Sequence, residues 1–356
     1  MSKNSQLPCD ILIFSSSFNQ GGAERLAVTL ANLLVKRWQV QLLSIRDEGP
    51  FKQELSDDVN RINLNKASSL VAIPSLVKHL KVIRPKVVFC SQSHLAFCMV
   101  SAIRLSGIEC SLVAREASCP SVNLAGIKSS LVRSWVKWSG AFAYKRADLL
   151  VAPARYVADD VQQYFGISAD IKIVANPLDG AFIQKQALQP CEHTWVKDAK
   201  GYILAVGRLV PEKGYSTLLK ALALSQQYQT IRLVILGEGP LRGELEAQAK
   251  QLGVEDLVSL VGFVSNPFVY MKHCKAFVLS SFVEGMPNAL LQAQYLGADC
   301  ISSNCPGGAG ELLPQQNYFT VGDATALAKL IVNPPSSSQL RRSNASDFES
   351  LFEELL

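Results

Sequence analysis

No segment of this chain is apolar over the roughly 18 residues that a membrane-spanning helix needs. Met1 to Gln6 is polar and leads straight into an apolar strand pattern, so no secretory signal is expected. The nine cysteines include no Cys-x-x-Cys pair and no His/Cys cluster with zinc-like spacing, which argues against a metal site. Cys300 and Cys305 are close in sequence, but two thiols alone are a poor basis for a metal or redox role. An odd cysteine count without a signal fits reduced thiols in a cytosol. The Gly-x-Gly-x-x-Gly fingerprint of a dinucleotide site is absent. So is any Asp-x-Asp element that would hold a divalent ion. Charged residues make up only 18% of the chain, but hydrophobic ones reach 48%, which excludes a disordered protein.

The 356 residues present are long for one core and comfortable for two. Their net charge of +5 is uneven. Residues 1–180 hold 21 Lys+Arg against 14 Asp+Glu, or +7; the remainder holds 14 against 16, or −2. A basic half points to an anionic partner, and nucleic acid and a phospholipid surface both qualify.

Short apolar runs alternate with helical patterns. Strands are expected at Asp10–Phe14, Val40–Ser44, Lys86–Cys90, Ser111–Val113, Leu149–Ala152 and Ile171–Val174. A second set follows at Tyr202–Val206, Arg232–Leu236, Val258–Leu260, Ala276–Leu279 and Cys300–Ser302. Ala23–Lys36 reads as a helix with Leu26, Leu30, Leu33 and Leu34 on one face. Others start near Ser216, Pro240, Pro267 and Asn288. Such alternation predicts an α/β protein with parallel sheets, whose ligands bind at the carboxyl ends of the strands. The pattern divides into residues 1–180, a polar linker at 181–200, a second unit at 201–335 and a C-terminal helix in 336–356.

Four strand-to-helix loops carry candidate chemistry. In Asn19-Gln20-Gly21-Gly22-Ala23-Glu24-Arg25, bare backbone N–H groups at a helix start would attract phosphate; a tight turn also explains the pair. In Gly207-Arg208-Leu209-Val210-Pro211-Glu212-Lys213-Gly214, Arg208 and Lys213 suit one diphosphate, whose charge grows as it leaves. A solvated basic loop is the bland alternative. Glu284-Gly285-Met286-Pro287-Asn288 opens a helix, with a carboxylate for sugar hydroxyls and N–H groups for a donor phosphate. Gln292, about two turns beyond Glu284, can hold ribose hydroxyls without a charge. The fourth loop is Pro306-Gly307-Gly308-Ala309-Gly310-Glu311. His94 could touch a sugar or simply begin a helix. Arg115-Glu116 could line a cleft or form a local ion pair.

Together these loops resemble retaining glycosyltransferases of family 4, from Ile11 to about Val332. The specific elements are Gly21-Gly22-Ala23-Glu24-Arg25, Gly207-Arg208 with Glu212-Lys213-Gly214, Gly237-Glu238-Gly239-Pro240-Leu241 and Ser281-Phe282-Val283-Glu284-Gly285-Met286-Pro287-Asn288. The resemblance implies the GT-B fold, two facing Rossmann-like domains with a cleft between them. It implies that Gly21, Gly22, Arg208 and Lys213 bind the donor diphosphate and that Glu284 approaches the donor sugar. Gly262, Phe263 and Val264 would lie near the nucleobase. Two departures stand out. Gln292 replaces the second glutamate that usually binds ribose, and Gly307-Gly308-Ala309-Gly310 is richer in glycine than usual. That loop is similar to those of enzymes building bacterial surface glycans.

The expected activity is therefore metal-independent, retaining transfer of a hexose or N-acetylhexosamine. The donor is a nucleoside diphosphate sugar, UDP favoured, and no further cofactor is implied. The acceptor is a glycan, lipid-linked by the resemblance, and nucleic acid is not a partner. The catalytic candidates are Arg208, Lys213, Glu284 and His94. The donor candidates are Gly21, Gly22, Gly207, Gly262, Phe263, Val264, Gly285, Met286, Pro287, Asn288 and Gln292. A sugar-nucleotide epimerase of the same shape and a non-catalytic nucleotide-sugar-binding subunit are the rivals. Residues 128–146 add a location. Leu131, Trp135, Trp138 and Phe142 share a helical face, Arg133 and Lys137 lie opposite, and Lys128, Lys145 and Arg146 flank them. This reads equally as a core helix or as a peripheral anchor on the anionic cytoplasmic face of a membrane.

Overall fold

The computed structural model describes residues 9–19, 21–336 and 345–356. Gln20 of the glycine loop, and the expected helical residues Gln339–Asn344, lie outside them. The chain forms two units, residues 1–178 with 343–356, and residues 179–342.

The first unit is built on seven parallel strands: β1 Ile11–Ser15, β2 Val40–Ser44, β3 Asn60–Asn63, β4 Val87–Ser91, β5 Ser111–Arg115, β6 Leu149–Ala152 and β7 Ile171–Ile173. Their order is β3-β2-β1-β4-β5-β6-β7. β1, β2 and β4 are buried along their whole length, which is why they read as mainly apolar runs rather than a regular alternation. β3, with its polar Asn-Arg-Ile-Asn sequence, is an edge strand the sequence pattern does not announce. The helix Gly22–Leu34 lays Leu26, Leu30 and Leu34 into this core.

The final helix, Ala345–Glu353, belongs to the first unit. Phe348, Leu351 and Phe352 are buried in its core. Both phenylalanines meet Phe89 of β4 edge-on, with ring centroids 6.2 Å apart. Arg37 pairs with Glu349 and Glu353 from the helix Gly22–Leu34 side. Aromatic burial of this kind contributes most of such a helix's docking energy; its exposed ion pairs add little.

The helix Ser130–Tyr144 departs from the first of the two readings of it, a core helix with a solvated back. Its buried stripe is Ser139, Gly140, Ala143 and Tyr144. Gly140 lets it sit against the ring of Phe165, which an added Cβ would meet at 2.2 Å. The aromatic face is instead turned to solvent, so this is not a core helix with a solvated back. Its side chains are taken up below.

The second unit has six parallel strands: β8 Ile203–Val206, β9 Leu233–Leu236, β10 Val258–Gly262, β11 Ala276–Leu279, β12 Asp299–Ser303 and β13 Tyr318–Phe319. Their order is β10-β9-β8-β11-β12-β13. The two-residue edge strand β13 is too short to leave a periodic signal. Residues expected as a linker at 181–200 hold the helix Gly180–Ala187 and a short turn at Thr194–Val196, and they belong to this unit. Asp179 caps that helix by accepting from Phe182 N–H at 3.0 Å. Ile183 and Ala187 are buried, so two apolar positions one turn apart suffice to dock it.

Candidate active site

In each sheet the strand order reverses once, between β1 and β4 and between β8 and β11. Connections there leave in opposite directions, which opens a crevice at the strands' carboxyl ends. The loops after β1, β4, β8 and β11 are those carrying Gly21-Gly22, His94, Arg208 with Lys213, and Glu284. Topology alone thus places all four at a switch point.

The second unit holds the denser cluster of candidates. Lys213 Nζ donates to Glu284 Oε1 at 2.6 Å, and Ser281 Oγ donates to the same oxygen at 2.6 Å. The side chains of Lys213 and Glu284 are only 23% and 10% exposed, so the pair is partly desolvated and stronger than a surface ion pair. The loops bearing them are laced through the backbone. Phe282 N–H donates to Glu212 O at 2.8 Å, and Ser280 Oγ donates to Lys213 O at 2.8 Å. Gly214, at φ +64, passes so close that an added Cβ would sit 2.1 Å from Ser280 O.

The glycine-rich fourth loop has a structural cause. Gly307 bridges to Glu284, and Gly308 N–H donates to Gly285 O at 2.7 Å. A Cβ on Gly307, at φ +115, would fall 1.4 Å from Glu284 O. Only glycine permits that approach. The loop therefore backs the Glu284 segment and fixes its backbone.

The remaining second-unit candidates lie on the segments after β8, β10 and β11. Gly207 lies beside Lys213 and Tyr215: a Cβ there would be 3.0 Å from the Tyr215 hydroxyl and 3.3 Å from Lys213 Cε. Arg208 is exposed to solvent. Pro287 precedes the helix Asn288–Tyr295, and Gln292 lies one turn into it, half-buried. Gly262, at the end of β10, sits under the Glu238–Arg242 ion pair, which is 2.7 Å long. Phe263 beside it is exposed and Val264 half-buried. Met286 is half-buried at the mouth of the Glu284 loop.

Two residues here escape sequence reasoning. Ser281 orients Glu284, and its place three residues before the carboxylate is the only sign of it. Tyr215 is fully buried, and its hydroxyl has no hydrogen-bond partner among the described residues. Burial first, and the Glu284 carboxylate second, push its pKa far above the usual phenol value. It stays a neutral donor under the Lys213–Glu284 pair.

The first unit carries a sparser set of candidates. Gly21 is the N-cap of the helix Gly22–Leu34. The Glu24 carboxylate folds back over it, and a Cβ on Gly21 would meet Glu24 Oε2 at 1.9 Å. Ser16 Oγ donates to Glu24 Oε1 at 2.7 Å. The anion-favouring helix start thus already holds the chain's own carboxylate. Ser16, Ala23, Glu24, Ser91 and Gln92 line a small recess there. Gln92, at φ +86, caps the helix Ser93–Ser106 that carries the exposed His94. Desolvation lowers the His94 pKa, with Glu24 opposing.

Arg115 and Glu116 line no open surface; both are buried. Arg115 donates to Ser91 Oγ at 3.4 Å and to Asn176 Oδ1. Glu116 Oε2 accepts from the Tyr144 hydroxyl at 2.7 Å, and Oε1 from Ala117 N–H at 2.9 Å. Burial pulls Arg115 down to about 10 and pushes Glu116 above its ordinary range. They tie the carboxyl ends of β4 and β5 to each other, to Asn176 and to the helix Ser130–Tyr144.

Comparison with known proteins agrees with this geometry. The model for Glycosyltransferase Family 4 matches residues 20–182, and that for Glycosyl transferases group 1 matches residues 193–342. A Campylobacter jejuni relative is 31% identical over 318 residues, 86% of this chain and 84% of its own. It is N-acetylgalactosamine-N,N'-diacetylbacillosaminyl-diphospho-undecaprenol 4-alpha-N-acetylgalactosaminyltransferase. A second from that organism, an alpha-1,4-N-acetyl-D-galactosaminyltransferase acting on GalNAc-alpha-(1->4)-GalNAc-alpha-(1->3)-diNAcBac-PP-undecaprenol, is 29% identical over 94% of this chain and 93% of its own. Among solved structures, Anabaena HepE in complex with UDP superposes with a TM-score of 0.75 at 20% identity, covering 97% of each chain. The lipopolysaccharide outer core galactosyltransferase WaaB superposes at 0.71 and 20% identity, over 97% of this chain and 99% of that one. At such identities the likeness speaks for the fold. Two strand-order reversals, two matching family models and a 31% identical relative lead to one assignment: the chain belongs to glycosyltransferase family 4, with the GT-B fold.

Proposed function

We propose that this glycosyltransferase moves a hexose or N-acetylhexosamine from a UDP-sugar to a hydroxyl of a lipid-linked glycan, with retention and without a metal. The observation that carries the reading is the Lys213–Glu284–Ser281 cluster at the second sheet's switch point. Lys213 and the exposed Arg208 put positive charge where a leaving diphosphate gains negative charge. Glu284, fixed by Lys213 and Ser281, presents its second oxygen to sugar hydroxyls. The bond from the anomeric carbon to the diphosphate oxygen breaks. The acceptor oxygen bonds to the same face, and its proton passes to the departing phosphate. In the first unit, the exposed His94 can accept from or donate to a sugar hydroxyl. Gln292 would meet the ribose. UDP is favoured because HepE was solved with UDP and UDP-glucose. The lipid-linked acceptor follows from the Campylobacter jejuni relatives, whose names specify undecaprenol diphosphate glycans. No helix among the described residues is long and apolar enough to cross a membrane, so this reading makes the chain a peripheral enzyme at the cytoplasmic membrane face.

The test is a matrix of UDP-, GDP- and dTDP-sugars against undecaprenyl diphosphate glycans, with and without chelator. The product's anomeric configuration is read by NMR. Retained configuration at undiminished rate in chelator is expected. Donor binding without turnover across the matrix would replace this reading with a non-catalytic subunit. Conversion of donor alone to an isomer would replace it with an epimerase.

A further inference from the structure

Residues 117–147 contain five cations, Lys128, Arg133, Lys137, Lys145 and Arg146, and no carboxylate. The helix Ser130–Tyr144 occupies most of this stretch. One face of it is left largely uncovered: Leu131 is 81% exposed, Trp135 47% and Trp138 53%. Large apolar side chains are ordinarily covered, and two adjacent half-bare tryptophans form a patch rather than scattered exposure.

The patch is built, not loose. The Trp135 and Trp138 rings lie 5.2 Å apart, and Trp138 stacks on Phe142 at 5.5 Å. Phe97, from the helix Ser93–Ser106, touches all three rings at 5.7 to 6.1 Å. The platform is therefore fixed before any partner arrives. The Arg146 guanidinium covers the Phe142 ring at 4.0 Å. At 100° per residue, Lys145 and Arg146 flank the aromatic stripe on either side, whereas Arg133 and Lys137 lie further round. Lys137 is held over the Tyr164 ring, 5.5 Å away. Arg104 shares the Phe97 face of its own helix, seven residues on.

We infer that this face docks on an anionic phospholipid surface. Tryptophan is suited to the boundary between headgroup and acyl chain, where its ring is buried and its N–H stays wet. Cations bordering the rings, with no acid in the segment, complement anionic headgroups. Phe97 follows His94 by three residues on one helix, so the platform begins one turn from a first-unit site residue. A lipid-borne acceptor held at that surface would present its headgroup sugar beside His94. The inference rests on the proposed lipid-linked acceptor for its purpose. The docking itself is tested without donor or acceptor.

The experiment is flotation with phosphatidylglycerol–phosphatidylethanolamine vesicles and with phosphatidylcholine vesicles. Tryptophan quenching by brominated lipid is read in parallel. Wild type should float with the anionic vesicles, at least about tenfold more than with the neutral ones, and lose binding in high salt. Quenching should vanish in Trp135→Ser/Trp138→Ser, since Trp38 and Trp195 lie elsewhere. Lys145→Glu/Arg146→Glu should abolish flotation while circular dichroism and transfer to a short-chain soluble acceptor stay unchanged. Absence from both vesicle types overturns the inference. So does flotation that ignores both variants, or a dimer in solution that the tryptophan variant dissociates.

Discussion

The ammonium of Lys213 and the carboxylate of Glu284 lie 2.6 Å apart, although 71 residues separate them. β8 and β11 are neighbours in the second sheet, so the loops that follow them meet. This contact links the cation expected at the diphosphate to the carboxylate expected at the sugar. Donor binding can thus be felt by both at once. Lys213→Ala and Arg208→Ala should each lower turnover roughly 10²–10³-fold at saturating donor. Only Lys213→Ala should also lower the melting temperature, since it leaves Glu284 partly buried without its cation. Near-wild-type turnover in both variants would remove the loop from the reaction.

Gln292 lies one turn into the helix Asn288–Tyr295, with no side-chain partner among the described residues. An amide so placed is available to a ligand. Gln292→Ala should raise the donor KM about fivefold to tenfold, the scale of one lost hydrogen bond, with kcat little changed. Gln292→Glu should keep donor binding. An unaltered KM in the alanine variant assigns the ribose elsewhere.

Gly307 and Gly243 make a matched pair of glycine-to-alanine tests. Alanine at 307 would collide with Glu284 O and occupy a φ of +115. That should cost about 3 kcal/mol or more, and weaken donor binding by shifting the Glu284 segment. Alanine at 243 meets open space within a helix and should stabilise by about 0.5–1 kcal/mol. Chemical denaturation with and without UDP measures both.

Glu116 gives stability a pH dependence whose sign follows from its burial. Its folded pKa lies above the ordinary 4.5, because desolvation outweighs the Tyr144 hydrogen bond. The folded protein then holds this proton more tightly than the unfolded chain. The associated stability is complete below the unfolded value and is lost as pH rises through the folded one. Glu116→Gln should therefore flatten that part of the profile, which begins near the ordinary 4.5 and extends above it. Tyr144→Phe removes the donor that favours the carboxylate, so its destabilisation should grow as pH rises. A penalty equal at both ends of the range would mean that Glu116 does not titrate there.

The buried strands were legible because a strand covered on both faces is built mainly of apolar residues: Val40–Ser44, Leu149–Ala152 and Ala276–Leu279 fall where the apolar runs place them. β3 and β13 lie at sheet edges, where little burial is demanded and the pattern fades. The lysine, glutamate and glycine loops could be read because phosphate and sugar chemistry restricts their residue types. Their lacing could not, since Gly307 against Glu284 O is a long-range backbone contact. The helix Ser130–Tyr144 shows another limit. Four large apolar residues at helical spacing suited an inward face and a membrane-facing one equally, and in the structure Gly140 and Ala143 are buried while the tryptophans are half-exposed. Periodicity finds a face; only packing tells which way it points.

Phe348 and Phe352 have a bearing on the order of assembly. The sheet they cover is otherwise encoded before residue 179, and the whole second unit is translated in between. On the ribosome, Phe89 and its neighbours must wait with an uncovered apolar face while residues 179–342 emerge. The second unit is one unbroken stretch of chain and is complete in the sequence before the closing helix is made. Synthesis therefore runs against the usual direction here: the half that begins the chain is the last to be finished, and its vulnerability to aggregation ends only when the closing helix docks.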